Sequence, residues 1–140
     1  MQQVFHYLSE FEEHALLRKG GVRRFRRNEV IIEEGGFPSS IFVIKSGSVL
    51  VRQKNLDSYL PIRKLIAGGV FGEMSFLEDI AATATVVADS ELVEIFVIER
   101  VFLERLLENN MEFFGRFYKS LAWILSQRLR EPHNIANHNV

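Results

Sequence analysis

The chain predicts an α+β fold that is mainly β: an antiparallel β-roll of the jelly-roll kind, with one helix before it and two after it. Three observations carry that expectation. Apolar residues recur at helical spacing only towards the two ends, β-branched runs of three or four residues fill the interior, and Gly, Asn or Ser punctuates the joints between those runs.

Taken in order, Val4, Leu8, Phe11, Ala15 and Leu16 stand three and four apart and give a first helix its apolar face, which Gly20-Gly21 ends. Val22 and Phe25, then Val30 to Ile32, make two short strands with a turn at Asn28, a residue type that tolerates left-handed backbone angles. Two further runs, Ile41 to Ile44 and Val49 to Val51, flank a tight turn at Ser46-Gly47-Ser48. "YLPIRKLIAGGVFGE" repeats that style, and "ATATVVADSELVEIFVI" supplies two more runs around Asp89-Ser90, for seven or eight strands in all. From Glu99 the period changes again. Val101, Phe102, Leu106 and Leu107 belong to a short amphipathic helix, Asn109-Asn110 breaks or caps it, and a longer helix runs from Met111 to Arg130. On that helix Phe113, Phe114, Phe117, Tyr118, Leu121, Ile124, Leu125 and Leu129 cover a wide arc, with Trp123 on the otherwise polar side.

With 140 residues, 47% hydrophobic and 25% charged, the chain suits one folded domain, residues 1–131, and the polar stretch 132–140 that begins at Pro132 is expected to be a disordered tail. A net charge of -1 supplies no overall basic field for nucleic acid or an anionic membrane. Cysteine is absent, which excludes disulfides, thiolate nucleophiles and Cys-ligated metals. "MQQVFHYLSEFEEHALL" is not a secretion signal, and no apolar run is long enough for a membrane span, so a cytoplasmic protein without membrane insertion is expected. His6, His14, His133 and His138 lie near the two ends rather than on the strands, and no P-loop, Gly-x-Ser-x-Gly elbow or carboxylate pair with a partnering base stands out. Neither catalysis nor a bound cofactor is expected.

The order of helix, β-roll and two helices, together with "VIIEEGGFPSSIFVIKSGSVLV", "FGEMSFL" and "ILSQRLRE", resembles the cyclic nucleotide-binding domain family, the module of catabolite-activator-type transcription factors, protein kinase A regulatory subunits and cyclic-nucleotide-gated channels. Gly35 and Gly47 match the family's glycine turns, and the likeness runs from about Val4 to Glu131. It implies a phosphate-binding cassette. Gly72 would let the backbone approach the ligand, and amides near Met74 and Ser75 at the start of a short helix would point at the cyclic phosphate. Glu73 would accept a hydrogen bond from the ribose 2′-hydroxyl. The ligand residues so implied are Phe71, Gly72, Glu73, Met74, Ser75, Ala82, Thr83 and Ala84.

At position 82 the family carries an arginine that grips the phosphate, whereas this chain reads Ala81-Ala82-Thr83. A methyl group there weakens affinity for a cyclic nucleotide, and Arg52 and Arg63 are the strand arginines that could substitute. The same residues also have a purely structural use, in which Gly72 makes a turn, Glu73 caps the short helix and the Ala-Thr run packs as a strand. Two functions follow. In one, a cyclic nucleotide or another small anion occupies the cassette and the C-terminal helices signal its presence. In the other, the pocket is vestigial and the helix at 111–130 forms a homodimer or engages a protein partner. Family transcription factors carry a DNA-reading module after the long helix, and the short polar tail cannot supply one, so direct DNA binding is not expected.

Overall fold

In the computed structural model, which describes residues 2–131, twelve elements follow one another: α1 (Glu10–Gly20), β1 (Val22–Arg26), β2 (Val30–Ile32), β3 (Ser40–Ser46), β4 (Ser48–Asn55), β5 (Ser58–Ile66), β6 (Val70–Phe71), α2 (Glu73–Glu78), β7 (Thr85–Ala88), β8 (Leu92–Glu99), α3 (Arg100–Glu108) and α4 (Met111–Arg130). Eight strands form two four-stranded sheets, ordered β1-β8-β3-β6 and β2-β7-β4-β5, with every pairing antiparallel. The antiparallel roll with an N-terminal and two C-terminal helices is therefore present. The tail at 132–140 lies outside the described residues.

The runs on either side of Gly47 do not pair with each other. β3 belongs to the first sheet and β4 to the second, so this turn is a corner where the chain changes sheets. Gly47 has φ 85°, and a Cβ there would stand 2.7 Å from the Leu92 carbonyl oxygen, which leaves glycine as the residue the corner accepts. A second corner, between β7 and β8, is tied to the first: Ser48 donates its N–H to Ser90 Oγ at 2.9 Å, and Asp89 donates its N–H to the Ser48 carbonyl at 2.9 Å.

Both faces of β3 are buried, which explains its unbroken apolar run. Phe42 and Ile44 enter the roll beside Phe71, Val93 and Ile95, while Ile41 and Val43 face a second core shared with Leu16, Leu103, Phe117 and Leu121 from the helices. α4 has the expected bounds, and Asn110 caps it by accepting the Phe113 N–H at 3.1 Å. On α3, Phe102, Leu106 and Leu107 face inward as expected, and Leu103 is buried in place of Val101, which is exposed.

The first helix differs more from expectation. It begins after Ser9, whose side chain accepts the Glu12 N–H while the Glu12 carboxylate accepts the Ser9 N–H, a reciprocal capping box. Its inward face is Glu13, Leu16 and Leu17, whereas Phe11 is 84% exposed and Ala15 is also exposed. Val4 and Leu8 are buried, but in the turns that precede the helix. The Glu13 carboxylate gathers that segment by accepting the N–H groups of Val4 and Phe5.

This gathered segment lies along α4. Tyr7 donates its N–H to Ser120 Oγ at 2.9 Å, Arg116 grips Glu12 with both Nη atoms, and Trp123 stacks on His6 at 4.4 Å between ring centroids. The polar side of α4 is thus where the N-terminal segment seats Trp123. Hydrogen bonding to Arg116 is the largest cause that lowers the Glu12 pKa from 4.5 to about 2. A carboxyl whose folded-state pKa is depressed stabilises the fold above its unfolded value and loses that contribution as pH falls from about 4.5 towards 2. The pair is partly solvent-exposed, so screening by water keeps this contribution small. Urea unfolding at pH 5 and pH 3 should show native stability falling more than that of Glu12→Gln; parallel losses would refute the assignment.

Candidate functional site

β6 ends at Gly72, where φ is 84° and a Cβ would stand 2.9 Å from the Ser40 carbonyl oxygen. The left-handed corner turns the chain directly into α2, whose first turn receives no side-chain cap. Its amides are left for solvent or a ligand. Glu73 does not cap the helix, contrary to the structural reading of this residue; its carboxylate turns away and is only 2% exposed as a residue.

On the other side of the site, Ala82 is fixed through its backbone. Gly35 donates its N–H to the Ala82 carbonyl and Ala82 donates its own to the Gly36 carbonyl, both at 2.8 Å. The Thr83 carbonyl accepts Gln53 Nε2 at 3.0 Å. These bonds position the Ala-Thr run before β7, and Thr85 at the start of that strand accepts the Glu34 N–H with its Oγ1 at 3.0 Å.

Between the two segments lies a recess with an interior of about 100 Å³. Phe71, Gly72, Glu73, Met74, Ser75, Ala82, Thr83 and Ala84 all line it, so the structure brings together the eight ligand residues that the resemblance implies. Ile32, Val51, Ile62 and Leu65 add an apolar floor. Typical small-molecule pockets hold about 300 Å³ or more, so the enclosed interior takes one end of a ligand and leaves the rest at its open mouth.

Of the two candidate strand arginines, Arg63 lines the recess and Arg52 does not; the Arg52 guanidinium lies over the Tyr59 ring at 3.9 Å. A third arginine, unforeseen in the sequence, completes the site. Arg128, in the last turn of α4, donates from Nη1 to Glu73 Oε1 and from Nη2 to the Val70 carbonyl, each at 2.5 Å. Arg63 donates from Nη2 to the Arg128 carbonyl at 3.0 Å and meets Glu131 at 3.4 Å. Burial lowers the pKa of Arg63, as does the nearby charge of Arg128, with Glu131 and Glu73 acting in the opposite direction. Arg128 stands within "ILSQRLRE", a stretch that carries the family likeness, but nothing in its spacing says that it reaches a residue 55 positions earlier.

The glycine corner, the uncapped helix and two arginines thus converge on one recess of the β-roll. The family model for the cyclic nucleotide-binding domain matches residues 22–110, and the chain belongs to that family. It is 31% identical over 124 residues to cyclic GMP-binding protein C of Dictyostelium discoideum, covering 88% of this chain and 5% of that protein. It is 35% identical over 102 residues to the cGMP-dependent protein kinase of Eimeria tenella, covering 72% of this chain and 10% of the kinase. The chain thus corresponds to a small part of these relatives' length. Among solved structures, a cyclic nucleotide-binding domain from Methylobacillus flagellatus superposes with a TM-score of 0.78 at 25% identity, covering 91% of this chain and 72% of that one. The Thermus thermophilus catabolite activator protein gives a TM-score of 0.76 at 25% identity, covering 91% and 58%. Among the described residues, no helix is long and apolar enough to cross a membrane, and no group of three or more His, Asp or Glu side chains could hold a metal ion.

Proposed function

We propose that the chain is a regulatory sensor module that takes a small nucleotide-like anion, a cyclic nucleotide in the first instance, into this recess and signals through its C-terminal helices. One observation carries the reading: eight residues from two separated segments, matched by resemblance to a phosphate cassette, line a single recess that also receives a side chain from α4. Relatives named as cyclic GMP-binding and as a cGMP-dependent kinase support the ligand class. The module acts without catalysis, since Glu73, the one carboxylate among the described residues that line the recess, is already paired with a guanidinium instead of poised beside a nucleophile or base. We place it in the cytoplasm, as a sensor of a soluble ligand.

Thermal unfolding with and without cyclic AMP or cyclic GMP tests this. At a hundredfold excess over Kd a ligand that binds only the folded state adds about 2.7 kcal/mol, enough to raise Tm by about 5 °C or more. No shift with either nucleotide up to millimolar concentration would sink the sensor reading. It would leave ligand-independent assembly through α4, where Met111, Phe114 and Leu129 remain solvent-exposed.

A further inference from the structure

We propose that Arg63 and Arg128 together form the anion seat of this recess, so that the last turn of α4 is itself part of the binding site. The inference rests on the ligand reading above and names the groups that would hold the ligand's charge. In the family pattern the cassette grips phosphate with its own arginine; here position 82 is alanine, and the two guanidiniums at the recess come from β5 and from α4.

The local charge favours this arrangement. Inside the recess two guanidiniums, each on a side chain only 19% exposed, stand with one shielded carboxylate, that of Glu73. The other carboxylate in reach, Glu131, is 61% exposed in its side chain and meets Arg63 at 3.4 Å. The shielded part of the site therefore carries an excess of about one positive charge, which suits a singly charged phosphodiester better than a neutral ligand. Donors remain as well. A guanidinium has five N–H groups, and the bonds formed by Arg128 use one on each of Nη1 and Nη2, leaving Nε and the second hydrogen of each. Arg128 can keep Glu73 while it receives an anion, so the carboxylate orients the fork instead of consuming it.

A consequence for signalling follows directly. A cassette that supplied its own arginine could hold phosphate whatever the position of α4. Here half of the seat is in place only while the last turn of α4 is docked, and the ligand in turn holds that turn in place. Arg63 reinforces the link by donating to the Arg128 backbone carbonyl.

Titration calorimetry on the full chain, with cyclic AMP and cyclic GMP against the uncharged adenosine and guanosine, tests the seat. The native chain should prefer a cyclic nucleotide over its nucleoside by about tenfold or more, and Arg63→Gln and Arg128→Gln should each collapse that preference by weakening the charged ligand about tenfold. Arg128→Lys keeps the charge but loses the fork, so its affinity should fall between those of the native chain and Arg128→Gln, and Arg130→Gln, outside the recess, should change nothing. Amide exchange across residues 124–131 should slow on ligand addition in the native chain and not in Arg128→Gln. Unchanged or tighter cyclic nucleotide binding by both glutamine variants would overturn the inference and leave the ligand reading standing, as would equal losses for charged and neutral ligands. If the native chain binds none of the four compounds, the ligand reading itself fails and takes the seat with it.

Discussion

Ala82→Arg is expected to tighten binding of cyclic AMP or cyclic GMP about a hundredfold, the effect of two added charge-assisted hydrogen bonds at the lower end of about 1.5 to 3 kcal/mol each. The position is prepared for it. Its backbone is pinned on both sides by Gly35 and Gly36, so the substitution disturbs no hydrogen bond, and its side chain lines the recess at the Thr83 edge. The lower end applies because a third guanidinium would crowd Arg63 and Arg128, and the like-charge repulsion present before the ligand arrives is relieved only by the anion. The same repulsion predicts that the ligand-free variant unfolds at the native temperature or slightly below it. Calorimetric titration reads the affinity, and an unchanged Kd would mean that this edge of the recess is not where phosphate lies.

Why the roll was legible and the complete site was not comes down to the range over which each signal acts. Strand runs, glycine corners and the Asn110 cap are written in neighbouring residues, and they appear where spacing places them. The first helix had such a local signal as well, Ser9 with Glu12 three residues on, but apolar periodicity from Val4 obscured it; the buried Val4 and Leu8 mimic a helical face because Glu13 folds their segment back. Strand register separates Arg52 from Arg63. Val51 lines the recess with Arg63 directly across from it on β5, but the register shifts between Val51 and Arg52, and the Arg52 guanidinium lies over Tyr59 instead. Nothing local tells which face is which. Arg128 was the hardest to foresee, since its meeting with Glu73 depends on how α4 crosses the roll. On a helix read for its apolar stripe, an arginine two residues from the end looks like a favourable charge at a helix C-terminus and nothing more.

That crossing should be measurable as stability. Arg128→Ala is expected to lower the unfolding free energy by about 3 kcal/mol, the low end of the 3 to 5 kcal/mol seen when one partner of a buried ion pair is removed. Glu73 would be left almost wholly enclosed without its direct partner, and the nearby charge of Arg63 keeps the loss from the upper end. Glu73→Gln should lose less, about 1 kcal/mol, because an amide needs no countercharge and Arg128 keeps the Val70 carbonyl. The double variant Glu73→Gln/Arg128→Ala should then fall well short of the summed single losses, with a coupling of about 1 kcal/mol or more in urea unfolding. A domain of ordinary stability, about 5 to 15 kcal/mol, remains folded through all three. Additive losses would show that Arg128 and Glu73 are neighbours without being partners. Strong coupling would mean that the last turn of α4 is fastened to the corner where β6 becomes α2, so that whatever occupies the recess acts on the helix at the point where it is held.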